Sequence, residues 1–275
     1  MQVRKVDIDF SDAKVHWNAA EPEFSHLLNA ISSFIPALEG FLNRTVKVAR
    51  DQLPEGREAL RHDTDIFVAQ EIAHTQMHLR FNRKLQEAGY AWLSDAIEGM
   101  KADFRRFSDQ KGHRFSLAYA EGFETFGPFM VSFFFDRGRD LMKDWHEPTC
   151  YLWLWHFSEE YEHRTVCSDL YKSLYGSYFY RVGVLWYAFV HLFGYAWRTS
   201  NRMIADDRRS GVIPDPWRSR WRHARVLGRF FGYLMPRLVL KAMSPRFDPA
   251  DVQAPPQVMA FLDDVSARYQ VRRPE

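Results

Sequence analysis

The stretch His156-Phe-Ser-Glu-Glu-Tyr-Glu-His163 places two imidazoles and a central carboxylate on one stripe of a helix. At about 100° per helical residue, His156, Glu160 and His163 fall within about 60° of one another. The rest of this stripe is apolar and includes Leu152 and Leu170. An ionised carboxylate on a core face is costly unless a partner compensates its charge. The stretch therefore predicts a buried site that holds a metal ion or a paired charge.

A shorter motif of the same kind, Glu71-Ile-Ala-His74, lies earlier in the chain. Its carboxylate and imidazole are about 60° apart on a helix whose apolar stripe includes Phe67, Phe81 and Leu85. Glu-x-x-His on two helices, with one glutamate from each of two further helices, is the ligand set of di-metal carboxylate bundles. The two motifs together predict a two-metal site and require two more glutamates.

Candidates for the two further glutamates stand where a pair of helical hairpins would place them. Glu39 lies upstream, within an apolar stripe that includes Ile35 and Leu42. Glu121 lies between the two motifs, among small and aromatic residues. Glu124 is three residues further on and nearly on the same helical face, so periodicity alone leaves both Glu121 and Glu124 open.

These motifs, with Gln70-Glu-Ile-Ala-His74 running into Phe81-Asn-Arg-Lys-Leu85, resemble the bacterial family called "predicted metal-dependent hydrolase", a ferritin-like group. The constellation is also similar to that of ferritin-like di-iron oxygenases, including arylamine N-oxygenases, which have a third histidine where His156 stands here. The resemblance implies an all-α, ferritin-like four-helix bundle with additional C-terminal helices, and it favours Glu121 over Glu124. The metal ligands that it implies are Glu39, Glu71, His74, Glu121, His156, Glu160 and His163.

Several polar residues near the motifs are predicted to act outside the ligand set. His78 shares the face of the first motif, and a place beside the ligands is preferred to an eighth ligand or a core histidine. Asp169 is a candidate to orient a ligating imidazole, and Glu124 is a further neighbour of the ligands. Glu159 and Glu162 are rotated about 100° or more from the core stripe, so they are expected to pair with surface cations.

Composition restricts the class of protein. The formal net charge of the 275-residue chain is only +2, and its basic residues are dispersed apart from Arg-rich stretches near 202–225, so no nucleic-acid partner is expected. Cys150 and Cys167 have no paired spacing, and there is no signal peptide, which together favour a cytoplasmic location. Neither cysteine is placed as a metal ligand.

The ligands span a long part of the chain without a linker, which predicts a single domain over residues 1–275. Continuous helices are predicted over 113–137 and 147–175, among others. The expected parts are an extended N-terminal arm over 1–20, the di-metal four-helix bundle over 24–175 and a C-terminal helical extension over 178–270.

The segment 182–197 carries no charge for sixteen residues and contains His191. It is shorter than the roughly 20 residues that span a bilayer. Buried packing or contact in a homodimer is therefore preferred to peripheral contact with a membrane.

The ligand set also indicates the chemistry. Four carboxylates balance two divalent ions, and imidazoles with carboxylate oxygens suit two iron ions, with manganese or a mixed pair left open. The leading hypothesis is an oxygenase or oxidase that uses O2 and an electron donor on a small hydrophobic or aromatic substrate. The alternatives are a two-metal hydrolase, as the family's name says, and a ferroxidase or iron-binding protein without an organic substrate.

Overall fold

The computed structural model describes residues 1–142, 146–269 and 271–272, and within them the chain is helical apart from one two-stranded ribbon. The all-α prediction is confirmed. The strands are β1 (Val3–Arg4) and β2 (Val271–Arg272). The helices are α1 (Pro22–Asp51), α2 (Glu58–Glu87), α3 (Leu93–Arg106), α4 (Gly112–Glu124), α5 (Gly127–Ser132), α6 (Glu147–Glu162), α7 (Val166–Leu174), α8 (Tyr178–Arg209), α9 (Pro216–Arg237) and α10 (Pro256–Arg268). Short π-helical turns cover Phe107–Lys111, Phe133–Arg137 and Leu238–Ala242, and short 3-10 turns cover Arg139–Met142 and Pro249–Asp251.

Helix α1 lies at the centre of the fold and packs against α2, α3, α4 and α8. Pro22 begins it, at a position where the missing backbone N–H costs nothing. Its apolar stripe, with Leu28, Ile35 and Leu42, is buried. Each such side chain stabilises the fold by about 1.5–3 kcal/mol when fully buried. The burial of this stripe therefore fixes which side of α1 faces the neighbouring helices.

Two helices that were expected to be continuous are broken close to the predicted ligands. The segment 113–137 divides after Glu124, and 147–175 divides at His163, so both predictions of a single helix were wrong. Pro128 explains the first break, because its ring would clash with the carbonyl group of Glu124 four residues earlier. Each break leaves a candidate ligand at a helix end.

The two ends of the described chain meet in the ribbon. Strand β1 pairs with β2 in antiparallel register, with Val3 opposite Arg272. The rest of the N-terminal arm runs over the bundle without forming a helix, and Val6, Ile8 and Phe10 are buried. The hydrophobic core is continuous from this arm to α10.

The C-terminal extension packs along the bundle through α8, which contacts α1 and α4. A Cβ atom on Gly122 would lie 2.9 Å from the Cα of Leu185, so only glycine allows α4 and α8 to approach this closely. Helix α9 runs antiparallel beside α8, with the rings of Phe189 and Phe231 in contact. Among the described helices, none is long and apolar enough to cross a membrane.

Candidate metal centre

Four helical segments bring polar side chains to one buried centre. Their side chains are at most 2% exposed. Helix α1 contributes Glu39, α2 contributes Glu71 and His74, α4 contributes Glu124, and α6 contributes His156 and Glu160, with His163 directly after its last residue. We call this set of seven residues the carboxylate–imidazole cluster.

Ligand atoms in the cluster lie close enough to share metal ions. Single atoms of Glu71, His74, Glu160 and His163 lie within 4.8 Å of one another. Atoms of Glu39, His74 and His156 form a second group at the same separation. Since His74 belongs to both groups, the cluster is continuous.

The centre of the cluster is formed by His163 and the carboxylates around it. His163 Nε2 lies 3.1 Å from Glu71 Oε1, and His163 Nδ1 lies 3.1 Å from Glu124 Oε2. His74 Nδ1 lies 3.5 Å from the same oxygen of Glu71. Glu71 therefore stands between the two imidazoles of the Glu-x-x-His motifs.

The preference for Glu121 over Glu124 stays a prediction, and the structure gives the two carboxylates different partners. Glu121 Oε1 accepts a hydrogen bond from Arg181 at 2.9 Å and another from the Thr125 hydroxyl group at 3.3 Å. Arg181 also donates to the carbonyl oxygen of Ala242, so Glu121 helps to fasten α4 to α8. A cation from a distant helix thus pairs with Glu121, whereas Glu124 contacts His163 in the cluster.

His156 is held from behind by a chain of hydrogen bonds that fixes its tautomer. The Asn82 amide donates to the Ser32 carbonyl oxygen at 2.8 Å, so Asn82 Oδ1 accepts from the Ser32 hydroxyl group at 2.7 Å. Ser32 Oγ then accepts from His78 Nδ1 at 2.8 Å. His78 Nε2, 2.8 Å from His156 Nδ1, is left to accept from it. The structure thus places His78 behind His156 and outside the cluster.

The nitrogen of His156 that faces the carboxylates is Nε2, which lies 2.9 Å from Glu160 Oε1 and 3.9 Å from Glu39 Oε1. Burial lowers the pKa of both His78 and His156, and the charge of His74 lowers each further. A proton or a bound cation between this nitrogen and the carboxylate oxygen prevents their lone pairs from repelling at this distance.

Glu159 supports His74 from outside the cluster, a role that its position on the helix did not indicate. Its side chain is fully buried, so the expectation of a surface ion pair was wrong. Glu159 Oε2 accepts from His74 Nε2 at 3.0 Å, while its other oxygen accepts from Arg4 at 2.9 Å. Arg4 also binds both oxygens of Glu162, and Gln70 donates to one of them. A carboxylate behind a histidine holds the opposite nitrogen toward a metal.

Asp169 lies away from the cluster. It is 45% exposed, and its ion-pair partner is Lys172 at 3.9 Å. No imidazole contacts it among the residues that the structure describes. The contact by which Asp169 was to orient a ligating imidazole is therefore not formed.

The electrostatics of the cluster show an excess of buried acid. Burial raises the pKa of Glu39 well above its usual range, and the charge of Glu71 adds to the effect. Burial, followed by the charge of Glu160, does the same for Glu124. Burial alone would lower the pKa of His163, but the charges of Glu124 and Glu160 outweigh it and raise this pKa. Without a bound cation, protons must therefore compensate part of the negative charge.

Several buried atoms of the cluster have no hydrogen-bond partner, which is the pattern expected of metal ligands. At least one oxygen of every cluster carboxylate is among them. These atoms are Glu39 Oε1, both oxygens of Glu71, Glu124 Oε1, Glu160 Oε2, His74 Nδ1 and His163 Nε2. The donor set of four carboxylates and three imidazoles thus fits hard or intermediate divalent ions such as iron and manganese.

An apolar cavity of about 40 Å³ adjoins the cluster. His156 and Glu160 form the polar part of its wall, and rings such as those of Phe126 and Phe193 form much of the rest. A Cβ atom on Gly127 would lie 3.2 Å from Glu160 Oε2, so the missing side chain keeps room beside this carboxylate. A cavity of this size accepts a diatomic molecule, whereas a larger substrate requires the aromatic walls to move.

A second group of histidine and carboxylate side chains lies outside the cluster. His16 Nε2 and His26 Nε2 lie 2.5 Å and 2.6 Å from the same oxygen of Asp207, which is on α8. The Tyr90 hydroxyl group donates to the other oxygen. We call this set the Asp207 network. It fastens the N-terminal arm and α1 to the C-terminal extension.

Comparison with known proteins gives one family. Residues 2–253 match the sequence model of a family described as "predicted metal-dependent hydrolase". The resemblance found in the sequence motifs is therefore confirmed. No curated protein matches the chain. No solved structure matches it either.

Proposed function

The chain belongs to the family of predicted metal-dependent hydrolases, and from that premise we propose that its cluster holds two iron ions for O2-dependent oxidation of a small hydrophobic molecule. The observation that carries the proposal is the buried cluster itself, in which carboxylates outnumber imidazoles and His156 Nε2 lies 2.9 Å from Glu160 Oε1. Bound cations would compensate the excess negative charge in place of protons. Four carboxylates match the charge of two divalent ions.

The positions of the ligands support two ions rather than one. Glu71, His74, Glu160 and His163 offer one compact group of ligand atoms. On one side, Glu39 and His156 extend this group, and on the other side Glu124 extends it through His163. Seven side chains exceed what one ion of usual coordination number takes up. Glu71 and Glu160, which lie in the middle, would be shared.

The protein's own groups hold these ligands in a fixed orientation. The Thr75 hydroxyl group donates to Glu39 Oε2 at 2.6 Å, which leaves Glu39 Oε1 for the cluster. Glu159 holds Nε2 of His74, so Nδ1 of this ring points inward. Bound ferrous ions would supply the electrons with which dioxygen is reduced. The apolar walls around Phe126 exclude water from that reaction and fit an apolar substrate.

Two-metal hydrolysis is the second candidate, because the family's description names it. In such enzymes two ions activate a water molecule and polarise a carbonyl or phosphoryl oxygen. The cavity beside Glu160 and His156 is apolar on its remaining sides, so its described wall offers no cation to bind a phosphate or carboxylate group. This lining favours oxidation of an apolar molecule over hydrolysis of a charged one.

The test begins with the metal content of protein purified without added metal. About two irons per chain are expected, as in other bundles with this ligand set. The protein is then loaded anaerobically with ferrous iron, and dioxygen uptake is followed with and without a reductant. Glu160→Ala should abolish both metal retention and uptake. Glu147→Ala, at an exposed position of the same helix, is the matched control and should preserve both.

The outcomes separate the alternatives. Zinc in place of iron, no oxygen uptake and turnover of ester or phosphoester substrates would establish the hydrolase and overturn the proposal. Uptake that stops once the iron is oxidised, and that reductant does not restore, would mean iron oxidation without an organic substrate. Metal retention by Glu160→Ala equal to that of the control would contradict the site itself.

A further inference from the structure

The basic residues of the chain are concentrated in its C-terminal extension. Residues 178–247 contain thirteen arginines and lysines against three aspartates, a net charge of +10, whereas the whole chain carries only +2. No Asp or Glu occurs between Asp215 and Asp248, a stretch that contains all of α9. The rest of the protein is therefore acidic. Five of the thirteen cations form ion pairs with carboxylates, and the exposed Arg218 and Arg220 are among those that form none within the described residues.

The same extension exposes large apolar side chains. On α8, Phe179 is 86% exposed, Val190 68% and Trp197 49%. On α9, Trp217 is 78% exposed and Trp221 74%. Within each helix these positions fall on one stripe, since their spacing repeats with the helical period. Soluble helices normally bury such a stripe. Here Trp197 stacks on His223 of α9, while the outer parts of these side chains are left to solvent.

The two stripes face the same side of the molecule. Helices α8 and α9 run antiparallel, because Phe189 contacts Phe231 while Trp197 stacks on His223. Counted toward the C-terminus, the exposed stripe of α8 lies about 70° past the side that carries Phe189 and Phe193, and that of α9 lies about 120° past the side that faces α8. Because α8 and α9 run in opposite directions, an offset in the same sense along each chain places both exposed stripes on the same side of the helix pair. We call this combined surface the α8–α9 face.

We propose that the α8–α9 face docks on the surface of an anionic lipid bilayer. Exposed tryptophans suit the boundary between headgroups and acyl chains, and cations beside them suit anionic phospholipids. Arg218 and Arg220 lie between Trp217 and Trp221 in the sequence, and both are exposed. The arrangement is that of a basic amphipathic helix that lies in the plane of a membrane. Docking does not depend on the metal chemistry proposed above.

The charge of the α8–α9 face also disfavours a second copy of the chain as its binding partner. A twofold dimer through this face would place the basic side of one subunit against the same side of the other. Glu21, Glu23 and Asp140 already pair with three arginines of α9, but the charges of the exposed Arg218 and Arg220 would face their copies in the partner and repel. An anionic bilayer presents the opposite charge over a flat area, which matches both features of the face.

The docked orientation would bring the bilayer close to the cavity beside Glu160. Phe193 of α8 lines that cavity and contacts Phe126 within it, with ring centroids 5.8 Å apart. The same Phe193 contacts Phe231 of α9 at 5.6 Å. Aromatic rings therefore connect the cavity to the α8–α9 face. If the proposed oxidation is correct, this connection makes a membrane-dissolved apolar compound the substrate class.

The test is co-sedimentation of the full chain with vesicles of phosphatidylcholine alone and with about 30% phosphatidylglycerol. We expect binding to the anionic vesicles only, and a decrease when NaCl rises from about 0.1 M to about 0.5 M. Replacing both tryptophans, in W217A/W221A, should lower the partition coefficient about tenfold or more. Charge reversal in R218E/R220E should lower it by a similar factor.

Matched controls are available on α2, far from this face. Ile72→Ala with Leu79→Ala removes apolar side chains of comparable exposure to Trp197, and Arg57→Glu with Arg83→Glu makes the same charge change at exposed positions. Both controls should bind like the wild type. Absence of binding to anionic vesicles, or equal loss in face and control variants, overturns the proposal. A wild-type dimer that W217A/W221A converts to a monomer also overturns it, since a second copy would then cover the face.

Discussion

The carboxylate–imidazole cluster and the Asp207 network both contain buried histidines and carboxylates, yet the negative charge is compensated differently in each. In the Asp207 network, three donors from His16, His26 and Tyr90 converge on one carboxylate. In the cluster, four carboxylates face three imidazoles, and His156 points Nε2 at Glu160. In the first, three donors surround one carboxylate, whereas in the second the carboxylates are in excess, and protons or cations must offset their charge. The two groups therefore differ in the balance of donors and acceptors, although each offers histidine and carboxylate atoms within 4.8 Å of one another.

Removal of a carboxylate from the cluster should have the largest effect. Loss of a residue that only supports a ligand costs about 10- to 100-fold in metal affinity, so loss of a ligand in Glu124→Gln should cost about 1,000-fold. The isosteric change Glu121→Gln is the matched control on the same helix, and it should leave metal affinity within about threefold of wild type. Metal retained after dialysis against a graded chelator measures both.

A larger loss of metal from Glu121→Gln than from Glu124→Gln would support the preference drawn from the family resemblance. It would also mean that Arg181 does not hold Glu121 in solution as it does in the structure.

Removal of the carboxylate from the Asp207 network should change stability and not metal content. Asp207→Ala leaves the buried His26 ring and the Tyr90 hydroxyl group without their acceptor, which should lower the free energy of unfolding by about 1–3 kcal/mol. Urea denaturation measures the loss, and metal analysis should give wild-type stoichiometry.

Asp206→Ala is the neighbouring control, because Asp206 receives its bonds from partly exposed partners, and its cost should stay below about 1 kcal/mol. Loss of metal from Asp207→Ala would show that the two groups are not independent.

A smaller difference should appear in the pH dependence of metal binding. The pKa values of Glu39, Glu124, His74 and His163 are all raised in the metal-free fold, so each group holds a proton to higher pH than usual. A metal must displace those protons, and its affinity therefore rises with pH by about tenfold per unit for each proton displaced. Chelator competition at about pH 6, 7 and 8 measures the slope.

Metal affinity should rise with pH because protons compete with the metal for the groups whose pKa is raised. Acid therefore weakens metal binding. An affinity that is flat or that falls with rising pH would contradict the protonation described for the cluster.

The sequence was most informative where local spacing determines the result. Glu71 with His74, and Glu160 with His163, were found because the helical period puts each pair on one apolar face. The all-α class followed from the same periodicity. The buried Glu39 was also found in this way.

Features that depend on distant parts of the chain could not be found from the sequence. Arg181 distinguishes Glu121 from Glu124, and it lies on a helix 60 residues away. Arg4 holds Glu159 in the interior from 155 residues away. Such contacts leave no local periodic signal. The break after Glu124 is a different case, because Pro128 is a local signal for the end of a helix. The apolar periodicity on both sides of Pro128 nevertheless resembles that of one continuous helix.

The link from Arg4 through Glu159 to His74 joins the paired ends of the chain to the cluster. Thermodynamic reciprocity then applies: if a docked N-terminal arm favours metal binding, bound metal favours the docked arm by the same free energy. The ribbon of β1 and β2 would thus report on occupancy from the surface of the protein. Proteolysis at the first residues should be slower in the loaded protein, and an extension fused ahead of Met1 would act on the metal from outside the bundle.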